Sequence, residues 1–284
     1  MRNLSACVLL AAWLIGCATP RATALDPNAP KPIRASKIIL VGDSTTAVQG
    51  GWGGNFCAEH VTSSAACVNL ARGGRSSGSY IAEGSWELAL AEARAPGYVN
   101  KWILIQFGHN DQPGKPGRST DLATEFPANL RRYVNEARAA GAKPVLVTPL
   151  TRRMFKNGVL KDDLGPWAET TKRVAAEMNV PLVDLHALSV AAIQAMGSSA
   201  ANEMAPRPPS AEVAAAATAG TSIPGSTGVA ATEVNDPPPV AGMAQPKLSF
   251  DYTHLGGHGA DYFATMVTAA LALAAPEMRP LLIP

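Results

Sequence analysis

The sequence predicts an α/β fold in which helices cover both faces of a five-stranded parallel β-sheet. Short apolar runs rich in β-forming residues alternate with segments of helical pattern, and several of these runs end in Gly or in polar residues. Strands separated by helices favour right-handed crossovers and a parallel sheet buried on both faces. Ligands then bind beyond the carboxyl ends of the strands. A chain of 284 residues can bury the core of one such domain.

The predicted strands are apolar runs bounded by turn residues. The first run, 37–41, ends in Gly-Asp-Ser, and the third, 102–107, ends at Gly108. The fourth run, 145–148, is stopped by Pro149. In chain order, the strands are expected at 37–41, 68–71, 102–107, 145–148 and 180–185.

The predicted helices end at recognisable signals. Pro96 and Gly97 stop the first helix, and Gly141 closes the second, which has an amphipathic pattern. In chain order, the helices are expected at 79–95, 121–140, 166–178 and 258–275.

The N-terminus has the charge-then-apolar order of a secretory signal. Arg2 precedes an apolar run at 6–15, which is too short to span a bilayer as a helix. The run leads to Cys17 in a sequence that resembles the bacterial lipobox, in which the Cys is lipidated; an ordinary signal peptide is the alternative. We expect a signal peptide at 1–16 and a lipid-anchored tether at 17–35, and therefore an exported protein, either an outer-membrane lipoprotein or periplasmic.

The remaining cysteines suggest a disulfide bond. Cys7 lies in the expected signal and Cys17 is the expected lipidation site, which leaves Cys57 and Cys67 as a pair in an oxidising compartment. Two buried free thiols are the alternative.

The segment at about 198–247 interrupts the predicted domain, which spans 36–284. It is rich in Ala, Pro, Ser, Thr and Gly and has few large apolar residues. Such a composition predicts a disordered surface insertion, because it buries too little surface to offset its ordering entropy. A sugar-binding loop is the alternative.

The overall charge excludes one class of partner. The formal net charge is +2, so no broad basic face for nucleic acid is expected. Near neutrality does not identify the substrate.

Ser44 is the candidate nucleophile. It follows the first strand, where we expect the chain to turn toward a helix and expose the hydroxyl; a helix N-cap is the alternative role. His254 is the candidate base, and Asp251 lies three residues earlier, close enough for one turn to orient the imidazole. Asp251 could instead cap the last helix, and His258 is the competing histidine.

Donors for an oxyanion are expected at two strand ends. The Gly73-Gly74 pair lets backbone N–H groups approach a ligand, and Asn110 follows the third strand. Asn110 could instead be a turn residue, and His109 and Asp111 are expected to be structural supports. His109, Asp111 and His254 follow no metal-ligand spacing, so neither a metal nor another cofactor is expected.

Four blocks of the sequence identify a known family. They are Gly42-Asp43-Ser44, Gly74, Gly108-His109-Asn110-Asp111 and Asp251-x-x-His254. Together they resemble the blocks of the SGNH (GDSL-type) hydrolases, over about 36–198 and 248–276. The alpha/beta-hydrolase elbow does not fit, because Thr46 stands where that motif requires Gly.

Longer stretches around the four blocks indicate one subgroup of this family. They are Gly42-Asp43-Ser44-Thr45-Thr46-Ala47, Asn69-x-Ala71-x-Gly73-Gly74-Arg75-Ser76, Gln106-Phe107-Gly108-His109-Asn110-Asp111 and Asp251-Tyr252-Thr253-His254-Leu255. By these residues the chain is most similar to rhamnogalacturonan acetylesterases. One departure is Gly78, which stands where that family often has an Arg.

The resemblance implies a fold, a site and a function. The fold is a flavodoxin-like three-layer sandwich with a five-stranded parallel sheet. The triad is Ser44, His254 and Asp251, and the oxyanion hole consists of the Ser44 and Gly74 amides and the Asn110 side chain. The implied function is removal of acetyl groups from a plant cell-wall polysaccharide. The alternatives are another SGNH activity, on acetylated xylan, lysophospholipids or thioesters, or a non-catalytic polysaccharide-binding lipoprotein.

Overall fold

The computed structural model describes residues 34–224 and 249–284. In chain order, the strands are β1 (Ser36–Gly42), β2 (Ala65–Asn69), β3 (Asn100–Gln106), β4 (Lys143–Val147), β5 (Phe155–Lys156), β6 (Val159–Leu160) and β7 (Leu182–Val183). Five of them form one sheet in the order β2-β1-β3-β4-β7, in which all pairs are parallel. The predicted five-stranded parallel sheet is therefore confirmed. The short antiparallel hairpin β5–β6 was not predicted.

Eight α-helices are present in the described part of the chain. They are α1 (Gly53–Glu59), α2 (Ser77–Ala82), α3 (Ser85–Arg94), α4 (Glu125–Ala139), α5 (Gly165–Met178), α6 (Leu185–Asn202), α7 (Ala211–Thr218) and α8 (Gly257–Ala274), followed by a 3-10 turn at Pro276–Leu281. The single helix expected at 79–95 is two helices. Gly84 separates them with φ +85°, a left-handed conformation that ends one helix before the next begins.

Alternate residues of β1, an interior strand of the sheet, enter two hydrophobic cores. Ile38 and Leu40 lie in the core that includes Phe263 and Val267 of α8, whereas Ile39 and Val41 lie in the core that includes residues of α3, α4 and α5. All seven residues of β1 are buried, because a central parallel strand is covered by helices on both faces. This is the three-layer arrangement that the resemblance implies.

A disulfide bond joins helix α1 to the edge strand β2. It connects Cys57 with Cys67, whose Cα atoms are 5.4 Å apart, an ordinary separation for this bond. The bond fixes the helix that follows the Ser44 loop against the sheet.

The predicted disordered insertion is wrong for residues 198–224. This stretch contains the end of α6 and all of α7, and it buries Met204 and Val213 in the protein. The Ser198 hydroxyl also donates a hydrogen bond of 2.6 Å to the Ala217 carbonyl. Ala is the strongest helix former and packs closely, so the segment needs only a few larger apolar residues to be ordered. The remainder of the predicted insertion, 225–247, lies outside the described residues.

The N-terminal expectations also lie outside the described residues. The signal peptide, Cys17 and nearly all of the tether at 17–35 precede Arg34, where the description begins. Within 34–224 and 249–284, no helix combines the length and the apolar character needed to cross a bilayer.

Parallel pairing brings three loops to one edge of the sheet. Strands β1 and β3 are neighbours, with Gly42 opposite Gln106 at their carboxyl ends. Strand β4 pairs with β3 on its other side and leads into the loop that begins at Thr148. The segments that follow these three strands therefore lie side by side.

Candidate active site

Ser44 lies in a tight turn immediately after β1. The Asp43 carboxylate accepts hydrogen bonds of 2.8 Å from the Thr45 amide and from the Thr45 hydroxyl. The Asp43 carbonyl accepts from the amides of Thr46 and Ala47 at 3.2 and 3.1 Å. The next helix, α1, begins only at Gly53, so Ser44 does not have the alternative role of a helix N-cap. The turn leaves Ser44 partly accessible among buried neighbours.

A buried hydrogen-bond network fixes the turn that carries Ser44. The Gln106 side-chain oxygen accepts from the Thr46 hydroxyl and from the Trp52 indole, each at 2.7 Å. Its amide nitrogen donates to the Thr45 hydroxyl at 3.2 Å. The Asn69 side chain donates to the Thr46 carbonyl at 2.9 Å. Since buried polar groups are costly when unpaired, this satisfied network favours a single conformation of the turn.

Asp251 and His254 form a hydrogen-bonded pair within one turn. One carboxylate oxygen of Asp251 lies 2.7 Å from His254 Nδ1, and the other accepts from the amides of Thr253 and His254 at 2.7 and 2.6 Å. The pair fixes the orientation of the ring and leaves Nε2 for a reaction partner. Helix α8 begins at Gly257, so Asp251 does not cap it.

The environment of Asp251 keeps its carboxylate ionised. Burial acts to raise the pKa of Asp251, but the hydrogen bonds with His254, its charge and the Thr253 amide outweigh burial and lower the pKa to about 2. An ionised carboxylate beside the ring stabilises the imidazolium that forms when His254 takes a proton.

Two contacts place the Asp251–His254 turn and the loop that contains Gly73 and Gly74 beside Ser44. The amide of Leu255 donates to the Gly50 carbonyl at 2.8 Å, which joins the turn to the loop that follows Ser44. A side chain at Gly73 would lie 3.6 Å from the Ser44 Cβ. No hydrogen bond joins Ser44 to His254 in the described structure. In ligand-free enzymes this contact often tightens only when substrate binds.

Gly74 and Asn110, the expected oxyanion donors, lie next to the turn that carries Ser44. Gly74 has φ +76°, which favours glycine. The Asn110 side chain is nearly buried and donates one hydrogen bond of 3.1 Å to the Arg75 carbonyl. A side-chain amide has two N–H donors, so a second one remains for a substrate oxygen.

Asp111 fixes the loop after β3 to the start of helix α2. Its carboxylate accepts hydrogen bonds from the Ser77 amide and hydroxyl and from the Thr120 hydroxyl, the shortest of them 2.6 Å. Burial raises the pKa of Asp111 to about 6, although these hydrogen bonds act to lower it. Asp111 therefore has structural contacts, as expected.

His109 lies next to the turn that carries Ser44. Its Nδ1 lies 3.5 Å from an Asp43 carboxylate oxygen, without hydrogen-bond alignment, and both groups are buried. Burial lowers the pKa of His109, although the Asp43 charge acts to raise it, so the ring is neutral at pH 7. Within the described residues, no group of three or more His, Cys, Asp or Glu side chains could bind a metal ion.

Arg153 is a buried residue of the site that the sequence analysis missed. Its guanidinium donates to the carbonyls of Asp251 and His254 at 2.8 Å and to the Thr253 carbonyl at 3.3 Å. Its own amide donates to the Tyr252 carbonyl at 2.9 Å. Arg153 therefore contacts every residue of the Asp251–His254 turn. It follows β4 by a few residues, and this position at a strand end was the only sequence signal.

His258, the competing histidine, lies in the first turn of α8 and is exposed. It borders a surface groove with Asp261, Tyr262, Thr265 and Met266. Within the described residues it has no carboxylate partner, whereas His254 has Asp251 at hydrogen-bond distance.

Sequence comparison points to ester hydrolases. The model of the GDSL-like Lipase/Acylhydrolase family matches residues 40–220. The probable rhamnogalacturonan acetylesterase YesY of Bacillus subtilis (strain 168) is 38% identical over 164 residues, which cover 55% of this chain and 73% of YesY. Rhamnogalacturonan acetylesterase RhgT of the same strain is 37% identical over 175 residues, which cover 59% of this chain and 71% of RhgT.

Comparison with solved structures confirms the fold. The crystal structure of protein YXIM from Bacillus subtilis superposes with a TM-score of 0.60 at 20% identity. The superposition covers 86% of this chain and 58% of that chain. At this identity the likeness concerns the fold alone.

The contacts of Arg153 predict that it positions the Asp251–His254 turn. We expect Arg153→Met to lower kcat for p-nitrophenyl acetate by about 10²-fold, because a small displacement of a reacting group has this order of effect. KM should change little, since Arg153 is buried beneath the turn. Arg153→Lys should recover part of the activity by restoring a donor and a charge.

Arg138→Met is the matched control, because Arg138 also donates to two carbonyls, those of Met178 and Asn179, but at the end of α4. It should retain kcat. Circular dichroism and thermal unfolding of each variant show whether it is folded. A folded Arg153→Met protein with wild-type kcat would contradict the assignment.

Proposed function

Since the chain belongs to the GDSL-like lipase/acylhydrolase family and is a serine carboxylic ester hydrolase, we propose that it removes O-acetyl groups from rhamnogalacturonan, a pectic polysaccharide. The observation that carries this proposal is the identity of 37–38% to two rhamnogalacturonan acetylesterases over more than two thirds of their length. An acetylated polysaccharide is thus the proposed substrate, and a non-catalytic binding role is set aside.

We propose that Ser44, His254 and Asp251 catalyse the reaction. The Ser44 oxygen attacks the acetyl carbonyl while His254 Nε2 takes the hydroxyl proton. The tetrahedral intermediate then expels the sugar oxygen, which receives that proton from His254, and an acetyl-Ser44 ester remains. The contact of 2.7 Å between His254 Nδ1 and Asp251 supports these roles.

Water completes the proposed cycle. His254 takes a proton from a water molecule, whose oxygen attacks the acetyl-Ser44 carbonyl. Collapse of the second tetrahedral intermediate releases acetate and returns the proton to Ser44. The overall change is hydrolysis of one ester bond, and it requires no other reactant.

We propose the Ser44 and Gly74 amides and the Asn110 side chain as the donors to the negatively charged oxygen of both intermediates. The supporting observations are the positive φ of Gly74 and the hydrogen bond between Asn110 and the Arg75 carbonyl. This hydrogen bond fixes the orientation of the Asn110 amide.

We also propose that the protein is exported and lipidated at Cys17. The basis is the sequence alone, in which Arg2 and the apolar run at 6–15 precede a lipobox-like Cys. The disulfide bond between Cys57 and Cys67 is consistent with an oxidising compartment outside the cytoplasm.

The substrate proposal predicts a preference among acetylated polymers. Acetate release should be fastest from acetylated rhamnogalacturonan, slower from acetylated xylan, and negligible from long-chain acyl esters. Ser44→Ala is the control and should lose roughly 10³-fold or more of the activity. Equal or faster release from xylan would favour the xylan-deacetylase alternative, and preference for long acyl chains would favour a lipase.

The catalytic assignment predicts that Asp251 and His254 act as one unit. Wild-type kcat/KM should rise with pH and then level off, because the base has to be neutral. Asp251 should add no further step near neutral pH, since its pKa is about 2. Asp251→Asn should lower activity less than His254→Ala, and the double variant should resemble His254→Ala.

His258→Ala is the control for the histidine assignment and should remain active. If His258→Ala abolished turnover while His254→Ala did not, the assigned base would be wrong.

A further inference from the structure

The loop after Asn110 is a preorganised element beside the candidate active site. The Thr120 amide donates to the Asp111 carbonyl at 3.0 Å and closes the loop at 111–120. Within it, the Ser119 hydroxyl donates to the Gln112 carbonyl at 2.8 Å and accepts from the Lys115 amide at 2.9 Å. Pro113 lies two residues before Lys115, and Pro116 follows it directly. Both prolines restrict the backbone of the loop further.

The Lys115 ammonium group has no counterion among residues 34–224 and 249–284. No carboxylate of the described residues lies within 4.0 Å of this group, and none of their oxygens accepts a hydrogen bond from it. Its neighbours include two further cations, Arg152 and Arg118. The pKa of Lys115 is lowered, first by partial burial and then by these two charges. The charges of Asp43 and Asp163 act to raise it. A half-buried ammonium that has no hydrogen-bonded counterion among the described residues is stabilised when an anion binds to it.

The two cations near Lys115 connect its loop with the neighbouring loops. Arg118 donates to the carbonyl of Gly74, a proposed oxyanion donor, at 3.4 Å. Arg152 is paired with Asp163 at 2.5 Å, and the Asp163 carbonyl accepts from the Gln112 side chain of the same loop at 2.8 Å. The charge of Asp43, next to Ser44, also acts on Lys115. This position suits a group of the substrate that lies close to the reacting ester.

We propose that Lys115, flanked by Arg118 and Arg152, is an anion subsite that binds the carboxylate of a uronic acid residue in the polysaccharide chain. The inference rests on the proposed function, because rhamnogalacturonan contains such residues. It deepens that function by naming the charge that the enzyme recognises. A carboxylate bound there supplies the missing counterion and forms a charge-assisted hydrogen bond with the Lys115 ammonium.

The same subsite discriminates against neutral polymers. A neutral xylan chain in this position covers the ammonium without pairing it, which costs free energy because a desolvated charge is left unsatisfied. Selectivity for an acidic chain therefore follows from Lys115, whereas hydrolysis of a small neutral ester does not involve it. The distinction between these two classes of substrate makes the subsite testable.

The test compares two substrates and three variants. The substrates are an acetylated oligosaccharide that contains galacturonate and p-nitrophenyl acetate. Lys115→Met should raise KM for the acidic oligosaccharide about 10-fold, the order expected for one charge-assisted hydrogen bond. It should leave kcat/KM for p-nitrophenyl acetate within about twofold, since Lys115 has no role in the proposed acetyl transfer. Lys115→Arg should retain most of the preference.

Lys101→Met is the matched control, because Lys101 is also half-buried. It lies near the amino end of β3, whereas the loop of Lys115 follows the carboxyl end of the same strand. This variant should leave the kinetic constants for both substrates unchanged. Inhibition of p-nitrophenyl acetate hydrolysis provides a second readout. Deacetylated oligogalacturonate should inhibit the wild-type enzyme more strongly than it inhibits Lys115→Met. A neutral xylo-oligosaccharide of equal length should inhibit the two proteins equally. Inhibition by acetate at the same carboxylate concentration shows whether a free carboxylate has the same effect as a uronate in a chain.

Three results would overturn the anion subsite. They are an unchanged KM of Lys115→Met for the acidic oligosaccharide, equal losses on both substrates, and an acetate effect as large as that of oligogalacturonate. The proposed function fails separately, if the wild-type enzyme releases no acetate from acetylated rhamnogalacturonan. Titration of Ser44→Ala with oligogalacturonate, with and without Lys115→Met, then still measures the subsite directly.

Discussion

The parallel pairing of β1 with β3 is the constraint on which the site depends. It places Gly42 opposite Gln106, so the turn that carries Ser44 and the loop that carries Asn110 begin at the same edge of the sheet. Gln106 then joins the two loops chemically, since its side chain bonds Thr45, Thr46 and Trp52. A shift of one residue in this pairing would turn the buried Gln106 to the opposite face and break the network.

The Asp251–His254 turn lies outside the sheet and therefore depends on other contacts. Arg153, which follows the neighbouring strand β4, donates hydrogen bonds to the carbonyls of the turn, and Leu255 pairs with Gly50 in the serine loop. Burying a guanidinium is unfavourable unless its hydrogen bonds are satisfied. The carbonyls of the turn accept from both terminal nitrogens of Arg153, whereas its buried Nε has no partner in the described structure, and the Asp251 charge lies nearby. The stability of Arg153 and the geometry of His254 thus depend on each other.

Much of the fold and the site could be predicted from local sequence signals. The strands are apolar runs with clear ends, and Ser44, Gly74 and Asn110 all follow strands. The fold class and the positions of these residues could therefore be predicted from the sequence. Arg153 was missed because its partners lie about 100 residues away and the sequence alone shows no such contact. The order of 198–224 was missed because composition does not reveal that Met204 and Val213 find buried positions. The seven-residue helix α1 has too short a pattern to predict.

Acetyl transfer by the proposed mechanism passes through a covalent ester on Ser44. Mass spectrometry of protein quenched in acid during turnover of p-nitrophenyl acetate would detect this ester. We expect one added acetyl group per chain, located on the peptide that contains Ser44, and none in Ser44→Ala. Acetylation of a different residue that turns over at the catalytic rate, or steady turnover in Ser44→Ala, would contradict it.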